Sequence, residues 1–268
     1  MRGDYLLPLD AMMRLSIVQS SLHWEHPEAN RVMFAEKMRP LAGHTDLVVL
    51  PEMFTTGFSM NAAQLAEPMQ GPTTAWMLEQ AAALGAAVAG SFICSEEGRY
   101  FNRFVFARPD GSVETYNKRH LFSLAGEDKT YAQGWDKARI EWLGWRIRPL
   151  ICYDLRFPVW SRNEKNNPYD LLLYVANWPQ TRIHHWSSLL VARAIENQAF
   201  VAGVNIFGQD GAGLQYVGES AVIDFSGREI GRISGKEDVF TAELSLDNLR
   251  EYRRQFPFLL DADVFRLP

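Results

Sequence analysis

Short apolar runs alternate along most of this chain with segments whose apolar residues recur at helical spacing. The runs are enriched in Val, Ile, Leu and Phe, and they predict strands at 15–19, 47–50, 86–93, 101–107, 148–152, 171–175, 200–205 and 220–224. Several contain almost no polar residue, which is typical of strands that are buried on both faces. The pattern therefore predicts sheets that lie inside the molecule.

Helical patterns occupy many of the intervals between these runs. They predict helices at 27–38, 73–84, 158–163 and 184–197. Pro27 and Pro158 suit a first helical turn, and Gly85 suits the position after a last turn. The C-terminal stretch LDNLREYRRQFPFLLDAD predicts a helix and then a tail that packs through Phe256, Phe258 and Leu259–Leu260 on this chain or on a partner.

Two stretches depart from strict strand–helix alternation. FVFARPDGSVETYN contains a Pro-Asp-Gly turn and AVIDFSGREIGRI contains a central Ser-Gly, and both patterns predict hairpins. Hairpins add antiparallel pairs to the sheets, so the sheets should be mixed. We therefore expect an α/β fold in which two layers of strands are covered by two layers of helices.

Composition narrows the class of protein. The 268 residues are 47% hydrophobic, which suffices for the core of one large domain spanning 1–268. A formal charge of −5 with no long basic cluster argues against a nucleic acid partner, and no segment has the roughly 20 apolar residues of a membrane span. The first 20 residues make a poor signal peptide, so the sequence predicts a cytoplasmic protein. Residues 1–12 resemble an extension, with an alternative start near Met12-Met13.

The chain contains two cysteines, Cys94 and Cys152. Two are too few for a disulfide framework or a cysteine-based zinc site, and both are expected to be free thiols. Taken alone, a cysteine in an apolar run is more often an inert small hydrophobe than a reactive group. We keep that interpretation for Cys94.

Three charged or nucleophilic residues follow predicted strands. Glu52 follows LVVLP, Lys118 follows VETYN, and Cys152 ends RPLI. Ligands of α/β sheets bind beyond the carboxyl ends of strands, so these residues are candidates to converge. A carboxylate can accept the thiol proton, and an ammonium can lower the thiol pKa and, with the Tyr153 backbone N–H, stabilise an oxyanion. The set suits acyl transfer through a thioester.

Plainer interpretations remain open at this point. Glu52 fits a helix N-terminus, Lys118 a solvated loop, and Cys152 a core thiol, because polar residues are common where strands end. A histidine-dependent thiol hydrolase is also possible, although none of the six histidines has a local context that pairs it with Cys152.

Other polar groups have structural interpretations. His184 and His185 are adjacent, so on a helix their side chains diverge by about 100° and do not form the i, i+4 pair of a zinc helix. Arg193, Glu196 and Asn197 have the spacing of a network on one helix face. GQDGAG lacks the strand and helix context of a nucleotide-binding loop and is expected to be a turn.

Three stretches together resemble the signatures of the nitrilase superfamily of carbon–nitrogen hydrolases: LVVLPEMF, YNKRHLF and ICYDLRFP. They occur in the family's order, and the resemblance extends from about Arg14 to Leu260. Within the superfamily, the bacterial omega-amidase branch is most similar to three further stretches of this chain: EMFTTGFSM, ANWP and RAIENQAFVAGVNIFGQDG. That resemblance implies Glu52 as general base, Lys118 as oxyanion stabiliser and Cys152 as nucleophile. It also implies Glu127, next to Asp128, as the glutamate that supports the lysine.

The same resemblance carries expectations for fold and assembly. The family fold is an α-β-β-α sandwich of two mixed sheets, which agrees with the layers predicted from the pattern. The family pairs through a helix-bearing face, so we expect a homodimer whose contacts involve the helices after Pro158 and His184. No cofactor and no metal are implied.

The resemblance further implies a small-molecule amide substrate: the 2-oxo acid monoamides 2-oxoglutaramate or 2-oxosuccinamate. Arg156 is the residue that the motif offers to the substrate carboxylate, and an ion pair with Asp154 is the competing interpretation. Phe54, Trp178 and Thr181 match positions near the pocket. Two alternatives stay open: another hydrolase of the family acting on nitriles, carbamoyl compounds or other amides, and a non-catalytic thiol protein that binds a metabolite or senses oxidants.

Overall fold

The strands form most of the framework in this computed structural model, which describes residues 12–263. They are β1 (Met12–Gln19), β2 (Leu47–Val49), β3 (Ala87–Glu96), β4 (Arg99–Ala107), β5 (Val113–Asn117), β6 (Ile140–Trp142), β7 (Trp145–Ile151), β8 (Leu171–Ala176), β9 (Phe200–Asn205), β10 (Phe207–Gln209), β11 (Gln215–Ile223), β12 (Glu229–Ser234) and β13 (Asp238–Ser245). Apart from Met12, the expected N-terminal extension lies outside the described residues.

Helices connect many of these strands. They are α1 (Pro27–Met38), α2 (Ala62–Leu65), α3 (Pro72–Leu84), α4 (Glu127–Thr130), α5 (Pro158–Ser161), α6 (Ile183–Asn197) and α7 (Leu246–Gln255). Gly85 takes φ 66° directly after α3, as the sequence predicted for a helix-ending glycine. Within the described part of the chain, no helix combines the length and the apolar character needed to cross a membrane.

The strands form two mixed sheets. One sheet has the order β13, β1, β2, β3, β4, β5, and the other has the order β10, β11, β9, β8, β7, β6 with β12 also on β11. In each sheet the three central strands, β1–β2–β3 and β7–β8–β9, run parallel. The flanking pairs are antiparallel, and they include both predicted hairpins, β4–β5 and β11–β12.

Alternation along β2 shows how the layers divide the core. Leu47 and Val49 pack between the sheets with residues of β7 and β8, whereas Val48 packs beneath α1 and α3 with Phe34 and Met77. A strand side chain points to opposite faces at successive positions, so a fully apolar strand is buried by a layer on each side. The first sheet therefore lies between a layer formed by α1 and α3 and the second sheet.

Helix α6 covers the outer face of the second sheet. Trp186 and Leu190 of this helix are fully buried, and a side chain at Gly203 of β9 would meet Leu190 at 2.5 Å. The glycine thus allows the helix to approach the sheet closely. The predicted α-β-β-α sandwich is confirmed.

Some predicted boundaries were wrong. The helix expected at 158–163 ends at Ser161, because the Asn163 side chain accepts a hydrogen bond from the Tyr169 amide at 2.9 Å and turns the chain. Strand β13 was not predicted, since in its second half burial alternates and only Ala242 and Leu244 are buried. In the tail after α7, Leu259 is buried, whereas Phe256, Phe258 and Leu260 are exposed.

Candidate active site

The carboxyl ends of three strands bring the predicted chemical groups together. Glu52 follows β2, Lys118 follows β5 and Cys152 follows β7, so the first two come from one sheet and the third from the other. Lys118 and Cys152 line the same cavity. The convergence predicted from the strand ends is therefore observed across the interface between the sheets.

Lys118 lies between two glutamates. Its Nζ is 2.8 Å from Glu52 Oε1 and 2.9 and 3.0 Å from the two carboxylate oxygens of Glu127. All three side chains are fully buried. The neighbouring acid, Asp128, is exposed, so the structure selects Glu127 as the partner of the lysine.

The charges in this cluster depend on one another. Burial alone would lower the pKa of Lys118, but the two carboxylates outweigh that effect and hold its pKa above the usual value. Burial raises the pKa of Glu127, and Lys118 partly offsets the shift. Removing either partner would leave a buried charge uncompensated, at a cost of about 3–5 kcal/mol.

Two asparagines that were not singled out from the sequence hold the Glu52 carboxylate. Asn102 Nδ2 donates to Oε1 at 2.8 Å, and the Asn177 backbone N–H donates to Oε2 at 2.8 Å. Asn177 Nδ2 also donates to the Glu52 carbonyl oxygen at 2.7 Å. Position 177 directly follows β8, so the strand-end criterion that found Glu52 and Cys152 would have found Asn177 as well.

Cys152 occupies a constrained turn. Its φ is +43°, a left-handed conformation that is uncommon outside glycine, and it begins a short 3-10 turn at the end of β7. The Asp154 carboxylate accepts a hydrogen bond from the Ile151 amide at 3.0 Å and so closes this turn. Strained backbone of this kind concentrates at functional sites, because the surrounding structure must hold it in place.

Asp154 also links the Cys152 turn to the lysine segment. It accepts hydrogen bonds from Tyr116 Oη at 2.8 Å and from the His120 amide at 3.0 Å, and its Oδ1 lies 2.8 Å from His120 Nδ1. Tyr116 and His120 flank Lys118 by two residues on each side. Asp154 therefore fixes the position of the Cys152 turn relative to Lys118, and it is not an ion-pair partner of Arg156.

The pKa of Cys152 is subject to opposing influences. Burial and the Glu52 charge raise the pKa of this thiol well above its usual value, and the opposing influence of Lys118 is smaller. The predicted direction of the Lys118 contribution is confirmed, since the ammonium lowers the thiol pKa, but burial and the Glu52 charge outweigh it. A raised pKa favours the protonated thiol, so attack by Sγ would require a base that takes its proton.

A backbone donor is available beside the thiol. Tyr153 is the second residue of the 3-10 turn that begins at Cys152, and it lines the cavity. Amides in a first helical turn have no acceptor within the helix, so the Tyr153 N–H is free of such a bond. The expected oxyanion donor is therefore placed next to Cys152, although its role stays a prediction.

The cavity wall carries the predicted Arg156 and Trp178. The Arg156 guanidinium lies over the Trp178 ring at 4.7 Å, and its Nη2 is 3.1 Å from His185 Nδ1. Within residues 12–263, Arg156 forms no ion pair with a carboxylate. His185 is exposed, and its ring contacts this arginine.

Two predicted pocket residues lie elsewhere. Phe54 is fully buried on the helix side of the first sheet, where its ring packs against Phe34 and Trp76. Thr181 is exposed and does not line the cavity. The wall positions are taken instead by Phe58, four residues after Phe54, and by Arg182, one residue after Thr181.

The predicted helical network is observed outside the cavity. Arg193 Nη1 lies 3.0 Å from Glu196 Oε1, and Asn197 Nδ2 donates to the Arg193 carbonyl oxygen at 2.9 Å. Arg193 Nη2 also donates to the Leu155 carbonyl oxygen at 2.6 Å. This network anchors the turn after Cys152 on α6 and does not reach the cavity.

The chain is similar to known proteins over nearly its whole length. The family model for carbon-nitrogen hydrolases matches residues 16–254. The Escherichia coli K12 protein "Omega-amidase YafV" is 47% identical over 95% of this chain and 98% of that protein. A Bacillus subtilis 2-oxoglutaramate amidase is 34% identical over 92% and 96%. The solved structure of XC1258 from Xanthomonas campestris, a CN-hydrolase superfamily protein with an arsenic adduct in its active site, is 49% identical, with a TM-score of 0.94 over 97% of this chain and 100% of that chain.

Proposed function

The chain belongs to the carbon–nitrogen hydrolase family, and on that premise we propose that it is an omega-amidase. The reaction is hydrolysis of the terminal amide of a 2-oxo acid monoamide, 2-oxoglutaramate or 2-oxosuccinamate, to the dicarboxylic oxo acid and ammonia. No cofactor takes part in the proposed chemistry.

One observation carries the choice of substrate. Arg156 lines the same cavity as Cys152, and its guanidinium forms no carboxylate ion pair within the described residues. A guanidinium stacked on an indole ring presents its N–H groups at its edge, and those that do not face His185 can donate to a carboxylate. An amide whose far end carries a carboxylate satisfies this arginine and presents its carbonyl carbon to the thiol.

The acylation half of the reaction follows from the site. Cys152 Sγ attacks the amide carbon while Glu52 accepts the thiol proton, which forms the S–C bond. Lys118 and the Tyr153 N–H stabilise the oxyanion. When the intermediate collapses, the C–N bond breaks and Glu52 gives its proton to the leaving nitrogen. Ammonia departs and a thioester remains on Cys152.

Deacylation uses the same groups in reverse. Water attacks the thioester carbon and gives a proton to Glu52, and the oxyanion forms in the same position. The C–S bond then breaks, the proton returns to Sγ, and the carboxylic acid is released. Glu52 thus serves as base and acid in turn, and Asn102 and Asn177 hold its carboxylate through both halves.

Arg156→Ala tests the substrate assignment. We expect KM for 2-oxoglutaramate to rise by about 10- to 100-fold, the value of a hydrogen bond to a charged group. Activity on pentanamide, which lacks both the carboxylate and the oxo group, should not change with this substitution. Ammonia release from both amides measures the effect.

The controls separate binding from folding. Arg156→Lys keeps the charge and loses the planar fork, so its KM should fall between those of the wild type and Arg156→Ala. Equal losses on both amides in Arg156→Ala would contradict recognition of the carboxylate. Higher wild-type activity on pentanamide, nitriles or carbamoyl compounds would favour another hydrolase of this family.

The active enzyme is proposed to be a homodimer that pairs through the helices α5 and α6. Val159 on α5 and Ile195 on α6 are apolar, and 46% and 52% of their surface is exposed. We expect Ile195→Glu to weaken pairing, since it places a charge on an apolar interface. Sedimentation velocity measures the change, and Val32→Glu on the opposite helix layer is the matched control. An unchanged sedimentation coefficient for Ile195→Glu would contradict this interface.

The compartment proposed for this enzyme is the cytoplasm. Both Cys94 and Cys152 are free thiols in the structure. The mechanism requires a reduced thiol at Cys152 in every turnover, and reducing compartments keep such thiols available.

A further inference from the structure

A second arginine, Arg182, lines the catalytic cavity together with Arg156. It lies in the short turn between β8 and α6, and its guanidinium lies over the Phe122 ring at 5.4 Å. Like Arg156, it forms no ion pair with a carboxylate among the described residues. Many other arginines of the chain do pair with acids, including Arg14, Arg31, Arg103, Arg146, Arg193, Arg232 and Arg253.

One tryptophan connects the two cavity arginines. Arg156 lies over the face of the Trp178 ring, and Trp178 Nε1 donates to the Arg182 carbonyl oxygen at 2.8 Å. The Trp178 amide is in turn fixed by Asn205 Oδ1 at 2.7 Å. The two segments that carry the arginines are therefore anchored on one buried indole.

The balance of charge shows what these arginines can bind. The catalytic cluster contributes one ammonium and two carboxylates, so its charges sum to one negative. The two guanidinium groups at the wall, which have no carboxylate partner among the described residues, carry two positive charges. Their charge is larger than the single net negative charge of that cluster. Their rigid N–H forks suit a ligand end with several oxygen acceptors in one plane.

We propose that Arg182 is a specificity-determining residue that binds the carboxylate of the substrate's 2-oxo acid end together with Arg156. This inference deepens the proposed function and rests on it for the identity of the substrate. The conjugated 2-oxo carboxylate supplies three coplanar oxygens, more than one guanidinium can satisfy with a single pair of bonds. Arg182 therefore helps to distinguish an oxo acid amide from an uncharged amide.

Protection of Cys152 from alkylation tests this role directly. Iodoacetamide is a small uncharged probe of the thiol, and 2-oxoglutarate is the product expected to occupy the cavity. In the wild type, 2-oxoglutarate should slow alkylation of Cys152, as measured by mass spectrometry of the intact protein. In Arg182→Ala, the half-protecting concentration should rise by about 10-fold or more, since a charge-assisted hydrogen bond is lost.

The controls distinguish binding from structural damage. The rate without 2-oxoglutarate is measured for each protein and protection is expressed relative to it; the contact of Trp178 with the backbone oxygen of residue 182 is retained in Arg182→Ala, so the loop should keep its position. Pentanamide should protect both proteins equally. Arg250→Ala removes a guanidinium from a surface ion pair on α7 and should leave protection unchanged.

The outcomes separate this inference from the proposed function. An unchanged half-protecting concentration in Arg182→Ala, or no protection of the wild type, would overturn the role of Arg182. Turnover of 2-oxoglutaramate by the wild type is measured separately. Its absence would overturn the proposed function, whereas protection lost in Arg182→Ala would still support an anion site at this residue.

Discussion

Cys152→Ala should abolish ammonia release from 2-oxoglutaramate, with a loss in kcat of at least about 10⁴-fold, because no other group forms the acyl intermediate. Cys94 cannot substitute for it, since Cys94 is fully buried in the first sheet and its pKa is raised by burial. The measurement is a coupled ammonia assay with enzyme at high concentration, so that a small residual rate is detected.

Cys94→Ser provides the matched thiol control for this result. This substitution removes the second cysteine, which lies outside the cavity. The variant should retain activity, and its free energy of unfolding should fall modestly because a hydroxyl is buried. Wild-type protein incubated with a slow amide should gain the mass of a thioester, and Cys152→Ala should not. Substantial turnover by folded Cys152→Ala would rule out the thioester mechanism.

Glu52→Gln should lower kcat by about 10²–10⁴-fold, the usual contribution of a general acid–base group. It should also destabilise the fold. Both oxygens of Glu52 accept hydrogen bonds, Oε1 from Asn102 and Lys118 and Oε2 from Asn177. A glutamine must therefore turn its NH₂ group toward a donor, which leaves a buried polar group unsatisfied at a cost of about 1–3 kcal/mol.

The pH dependence of alkylation separates loss of the base from loss of structure. The negative charge of Glu52 is one reason why the Cys152 pKa is raised, so Glu52→Gln should lower the thiol pKa. The midpoint of iodoacetamide alkylation at Cys152 should thus move to lower pH while turnover falls. A midpoint that moves to higher pH, or turnover that survives, would contradict the role given to Glu52.

The sequence predicted the framework well because burial on both faces leaves long apolar runs. The eight predicted runs all correspond to strands, and the strand ends located Glu52, Lys118 and Cys152 before the fold was known. The missed strands β6 and β10 have only three residues each, too few for a periodic signal. Within β13, only alternate positions toward its end are buried.

The pocket wall was harder to predict, since it depends on which way loop side chains point. EMFTTGF contains Phe54 and Phe58, and both lie in one irregular loop after β2. Met53 with φ 44° and Gly57 with φ 76° turn this loop, so Phe54 points into the core and Phe58 into the cavity. The spacing of apolar residues does not encode such turns. For the same reason the sequence pointed to Thr181 as a pocket residue, whereas the neighbouring Arg182 lines the cavity.

The Asp154 carboxylate has a consequence for how the site withstands thermal motion. It is bonded to residues on both sides of Lys118 and to the strand end that carries Cys152. These segments belong to different sheets, whose relative sliding would otherwise change the spacing of nucleophile and ammonium. A shared anchor opposes such sliding where the two segments meet, so the distance between Cys152 Sγ and Lys118 Nζ depends on hydrogen bonds to one carboxylate more than on the packing of the whole sandwich.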